Sequence, residues 1–95
     1  MAVYKDKQGN KLYQVCSWEK NQHKLYNAHD RIFVALCDAR DRQNIEEIEQ
    51  MYDAKDRIDR ALDAFDRYVI DGIVYATYQE GLIIKDYIWA YDARH

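Results

Sequence analysis

The chain has 95 residues and a formal net charge of −3, with no proline, three glycines and 14% aromatic residues, nine of them tyrosine. That length makes one domain, residues 1–95, with room for a single modest core. The scarcity of proline and glycine excludes a linker-like or disordered composition. The charge is split, +3 over residues 1–31 and −6 over residues 32–95. Acids and arginines are interleaved through the second part, a pattern unlike a dedicated polyanion binder or a nucleic-acid mimic.

The opening MAVYKDKQGNK has no apolar stretch of the kind a secretory leader needs, and no run approaches membrane-spanning length. The expectation is a cytoplasmic protein without membrane contact. Cys16 and Cys37 lack motif spacing and are expected reduced and partly buried, Cys37 packed inside a helix and Cys16 the more exposed if its strand lies at an edge.

In chain order, residues 2–17 read as a β-hairpin. Val3-Tyr4 and Leu12–Cys16 are strand-like, and Gln8-Gly9-Asn10 supplies turn residues. Ser17 is placed to cap a helix over about 18–40, whose apolar row is Leu25, His29, Ile32, Leu36 and Ala39. Continuing that row gives Gln43, Glu46 and Gln50, all polar, so the chain is expected to reverse near Asp41–Asn44.

Asn44 and Glu47 have capping-box spacing and open a second helix, about 44–70, with the row Ile48, Met51, Lys55, Ile58, Leu62, Phe65 and Val69. The phrase Asp-Ala-x-Asp-Arg recurs at 38–42, 53–57 and 63–67, too irregularly for a solenoid. Asp53/Arg57, Asp56/Arg60 and Asp63/Arg67 are read as ion pairs along a solvated face. Lys55 either lays its stem on the core and lifts its amine to water, or fixes register as a buried polar group.

Asp71-Gly72 is read as the end of the second helix. Ile73–Tyr78 and Leu82–Tyr91 then form a hairpin closed by Gln79–Gly81, with a helix continuing through 73–79 as the alternative. In the hairpin register Val74, Ala76, Tyr78, Leu82, Ile84 and Ile88 cover the helices. The expected fold is α+β, a two-layer ββααββ arrangement with a helical hairpin packed on a small antiparallel sheet.

Chemistry-bearing patterns are sparse. No His-Glu-x-x-His, Cys-x-x-Cys pair or glycine-rich phosphate loop occurs. His29 reads as a satisfied, partly buried histidine, and Ser17 and Thr77 lie in no nucleophile elbow. No cofactor, metal or enzymatic activity is expected. The candidate contact surface is the second face of the C-terminal hairpin, Tyr75, Ile83, Lys85, Tyr87, Trp89 and Tyr91, because tyrosine and tryptophan recur as interface anchors. The reading is a small protein-protein interaction module of adaptor, inhibitor or immunity type, binding another protein or a second copy of itself as a homodimer, through that aromatic face or a sheet edge. The alternative is nucleic-acid binding through the N-terminal segment, where Lys5, Lys7, Lys11, Lys20, Lys24 and Arg31 alternate with Tyr4, Tyr13, Trp18 and Tyr26.

Overall fold

The computed structural model describes residues 4–95, so Val3 of the expected first strand lies outside the described residues. β1 (Tyr4–Lys5) and β2 (Lys11–Ser17) form the N-terminal hairpin. Asp6 builds its turn, accepting from the backbone N–H of Gln8 and Asn10 at 2.9 and 2.8 Å while Gly9 takes φ +84°. Desolvation works the other way, but the donors from Asn10 and Gln8 hold the Asp6 carboxyl below its ordinary value.

β2 runs directly into α1 (Trp18–Asp41), capped by Ser17, whose Oγ accepts from the Lys20 N–H at 3.4 Å. The chain reverses over residues 42–44, as expected. Gln43 adopts φ +55°, Asn44 caps α2 (Ile45–Arg67) through the Glu47 N–H at 3.2 Å, and Arg42 ties Asp38 to Glu47 across the turn. The two helices carry an apolar face each, Leu25, Ala28, Leu36 and Ala39 on α1 and Ile58, Ala61, Ala64 and Phe65 on α2.

The first six elements follow the expected ββααββ order, but the second hairpin lies earlier than its sequence reading. α2 stops at Arg67, and β3 (Val69–Ile70) turns through Asp71-Gly72 into β4 (Ile73–Ala76). Asp71 and Gly72 both have positive φ, +51° and +77°. That is the two-residue turn whose twist matches paired strands, so Asp-Gly joins two strands here and does not end the helix. The four strands make one antiparallel sheet in the order β1-β2-β4-β3, with a register irregularity between Gln14 and Cys16.

The expected strand over Leu82–Tyr91 is a helix, α3 (Tyr78–Arg94). Thr77 and Glu80 form a full capping box at its start: the Thr77 Oγ1 accepts from the Glu80 N–H at 3.4 Å and Glu80 Oε1 accepts from the Thr77 N–H at 3.3 Å. The cap converts Gln79–Gly81 from a hairpin loop into the first helical turn. Burial then overrides the β-propensity of the isoleucines and aromatics, because Gly81, Ile84 and Ile88 line up on one helical face.

α3 closes the core. Ile84 and Ile88 join Leu25, Ala28, Ile58, Ala61, Ala64, Phe65, Val74 and Ala76 in one buried cluster, with Val15, Cys16 and Trp18 packed against it. Gly81 lets α3 sit close to β2, since a Cβ there would stand 3.3 Å from the Val15 Cγ2 and push that side chain back by a few tenths of an ångström. Gly81→Ile is expected to destabilise by about 1–3 kcal/mol through overpacking, and Thr77→Ala by about 1 kcal/mol through loss of the cap. Urea unfolding followed by circular dichroism measures both.

Candidate protein-contact surface

The six residues first read as one aromatic strand face are divided among three surroundings. Tyr75 stands on β4, paired with Gln14 in register, and meets Tyr4 edge-on with ring centroids 4.9 Å apart. Ile83 and Tyr87 lie along the flank of α3 that packs on the core cluster, and Arg57 of α2 covers the Tyr87 ring at 5.3 Å. Burial raises the Tyr87 hydroxyl pKa, with Arg57 acting against it. Tyr91 sits between His23 and His95, 5.3 and 4.2 Å away. These four are held by their own chain.

Lys85 and Trp89 point elsewhere, and they join residues assigned by the sequence reading to the buried side. Tyr78, Leu82, Lys85 and Trp89 follow at i, i+4, i+7 and i+11, which places them within about 60° of arc on a helix turning roughly 100° per residue. Tyr78 is 62% exposed, Leu82 41% and Trp89 63%. Tyr13 of β2 extends the row, its ring centroid 6.2 Å from that of Tyr78. A shallow depression lined by Tyr13, Val15, Gly81, Leu82 and Lys85 lies at this end. The result is an apolar ridge along α3, with one cation in it.

Three ion pairs fix the pose of α3 and hence of the ridge. Lys24 on α1 meets Asp92 at 2.8 Å, Arg57 on α2 meets Asp86 at 3.2 Å, and Arg67 meets Glu80 at 3.2 Å. Of the expected pairs within α2, Asp56–Arg60 and Asp63–Arg67 form. Arg57 instead leaves Asp53 for α3. Lys55 pairs with Asp59 at 2.7 Å, and that hydrogen bond raises its pKa.

The four rings and one of the cations proposed for a nucleic-acid surface are engaged within the chain. Trp18 Nε1 and the Tyr26 hydroxyl both donate to Asp66, at 2.9 and 3.3 Å. The Asp66 charge raises the Tyr26 pKa. Tyr4 and Tyr13 are engaged with Tyr75 and Tyr78, and Lys24 is paired. An acid therefore stands beside the Trp18 and Tyr26 rings.

The two thiols reverse the expected order of exposure. Cys37 is exposed, because the α1 face it occupies is not the one packed on α2, whereas Cys16 faces the core opposite Val74. Burial pushes the Cys16 thiol from 9.0 up to about 11, although Lys85 and Lys24 pull it back in part. His29 is partly buried as expected, near Asp30 and Asp59 at 3.5 and 3.7 Å. Among the described residues no group of three or more His, Cys, Asp or Glu side chains converges as metal ligands do, and no helix is long and apolar enough to cross a membrane.

No family model matches the chain, and neither curated proteins nor solved structures gave a match.

In dilute native protein Cys37 is expected to react rapidly with a thiol reagent while Cys16 waits for unfolding. The raised Cys16 pKa also has a stability consequence. The unfolded chain loses this proton near pH 9.0 and the folded chain only near about 11. The contribution is thus full below the first value and is lost as pH rises through the second. Urea midpoints of the wild type should fall more steeply across that window than those of Cys16→Ala.

Proposed function

We propose that this chain is a non-enzymatic binding module of adaptor, inhibitor or immunity type, gripping another protein through the ridge of Tyr13, Tyr78, Leu82, Lys85 and Trp89. The supporting observation is the exposure of two large aromatics and a leucine in one helical row, while Tyr87 and Tyr91 on the same helix are tucked against their own chain. Tryptophan and tyrosine supply large contact area at low entropic cost, and their burial by a partner dominates many interfaces. The ridge displays its residues at helical spacing, which suits docking into a groove.

The charge of the row favours a foreign partner at this surface. Lys85 is its one charged residue, so a two-fold pairing of the ridge with itself would bring like charges together. An apolar groove with a carboxylate placed for Lys85 meets both requirements. The sheet edge at β3 offers a weaker alternative surface, being two residues long. Both cysteines are free, which suits a reducing compartment such as the cytoplasm.

The test compares proteins retained from the producing cells by the wild type, by Leu82→Ala/Trp89→Ala, and by Asp53→Ala/Glu49→Ala as a surface control. All three should unfold at the same urea midpoint, because the altered side chains are exposed. The ridge variant is expected to lose its partner by at least tenfold while the control keeps it. Equal retention by all three sinks the proposal. Salt-sensitive retention on heparin that survives the ridge substitutions would replace it with the nucleic-acid reading.

A further inference from the structure

The interleaving of acids and arginines that runs through the chain breaks at Arg31 and Arg94, and the fold brings these two to one place. Arg42, Arg60 and Arg67 each pair with the aspartate four residues before them, and Arg57 crosses to Asp86. Arg31 has Asn27 and Ala35 at that spacing, with Ala28 and Val34 three residues away. Arg94 has Ala90 and Tyr91 behind it. Neither finds an acid along its own helix. Among the described residues neither pairs with a carboxylate on another element.

Both line one groove. α1 and α3 leave a hollow of about 180 Å³ between them, with Ala28, Ile32 and Ala90 as its apolar lining, Tyr87 beside them, and Arg31 and Arg94 completing it. The acids on these stretches of helix are already engaged. Asp86 and Asp92 are held by Arg57 and Lys24 at 3.2 and 2.8 Å, and Asp30 stands by His29 at 3.5 Å. The groove therefore keeps two guanidinium charges without a counterion of its own.

We infer that this groove is a docking site for an acidic segment of a partner protein, one that seats an aliphatic side chain on Ala28, Ile32 and Ala90 and sets carboxylates on Arg31 and Arg94.

Charge and size select this occupant. Guanidinium forks hold carboxylates through paired, charge-assisted hydrogen bonds. A neutral or basic segment would gain nothing from them. The hollow is smaller than the ~300–1,000 Å³ typical of small-molecule pockets, so it suits a side chain delivered by a polypeptide. A nucleic-acid strand needs a track of cations and open ring faces for its bases. Here Arg57 covers the Tyr87 ring at 5.3 Å, and Tyr91 lies between His23 and His95.

This site is separate from the ridge. Ala90 and Arg94 lie about 110–150° round α3 from the row of Tyr78, Leu82, Lys85 and Trp89, so the inference holds whether or not that row binds.

The test titrates the intact protein into a fluorescently labelled peptide, capped at both ends, that carries a leucine between glutamates, and reads anisotropy at low salt. The wild type is expected to bind it, and to bind the same peptide with glutamine for glutamate at least tenfold more weakly. Arg31→Gln/Arg94→Gln should lower affinity for the acidic peptide by at least tenfold. Its urea midpoint should match the wild type, because both side chains are exposed. Ala90→Glu, also at an exposed position, supplies the groove with a carboxylate of its own and should weaken binding to a similar extent. Leu82→Ala/Trp89→Ala should bind the peptide as the wild type does, which separates this result from the fate of the ridge.

Absence of saturable binding below millimolar peptide overturns the inference. So does equal affinity for the two peptides, or an acidic peptide that the arginine variant still holds. A single-stranded oligothymidylate that binds more tightly than the peptide, and is lost in the same arginine variant, assigns the groove to nucleic acid instead.

Discussion

The entry of Ile84 and Ile88 of α3 into the core cluster, with Gly81 close to Val15 of β2, is the packing on which the rest of the structure depends. Removing a side chain at that position lets the first turns of the helix settle onto Val15, and the spacing of three and four then carries Ile84 and Ile88 into the cluster around Ile58, Phe65 and Val74. A strand could not serve there. Ile84 and Ile88 would also share one side of a strand, but they would lie roughly 13 Å apart at 3.3 Å per residue, compared with about 6 Å of rise along a helix. The shorter repeat concentrates both on one small core, and their packing against α1, α2 and β4 joins the helical hairpin to the sheet.

Electrostatics refines this pose without supplying most of its stability. The pairs Lys24–Asp92, Arg57–Asp86 and Arg67–Glu80 reach α3 from both helices of the hairpin. Exposed pairs of this kind contribute about 0.2–1 kcal/mol each, small beside the burial of Phe65 and the isoleucines. Their value is orientational. They engage α3 at Glu80, Asp86 and Asp92, three positions spread along its length, so rotation about the helix axis would break several pairs at once. That rotation is the motion that would carry Trp89 and Tyr78 out of solvent.

The parts of the fold legible in the sequence were those where local and tertiary signals agreed. Both hairpin helices, the Ser17 and Asn44 caps and the reversal at 41–44 follow from an apolar period that loses its phase. The C-terminal third was misread because two punctuation signals compete there. Asp71-Gly72 fits either a helix end or a two-residue strand turn, and the short Val69–Ile70 strand before it was absorbed into the helical row. Gly81 looked like a loop glycine, although Thr77-x-x-Glu80 just before it spells a helix start. Once that cap is given priority, Tyr78, Leu82, Lys85 and Trp89 fall into one outward row, and the strand register that scattered them disappears. Lys85 and Trp89 entered the sequence reading because their residue types suit an interface. Their neighbours were missed because the period was taken as two. The exposure of Cys37 had no local signal, since the face on which a helical cysteine falls depends on where the neighbouring helices pack.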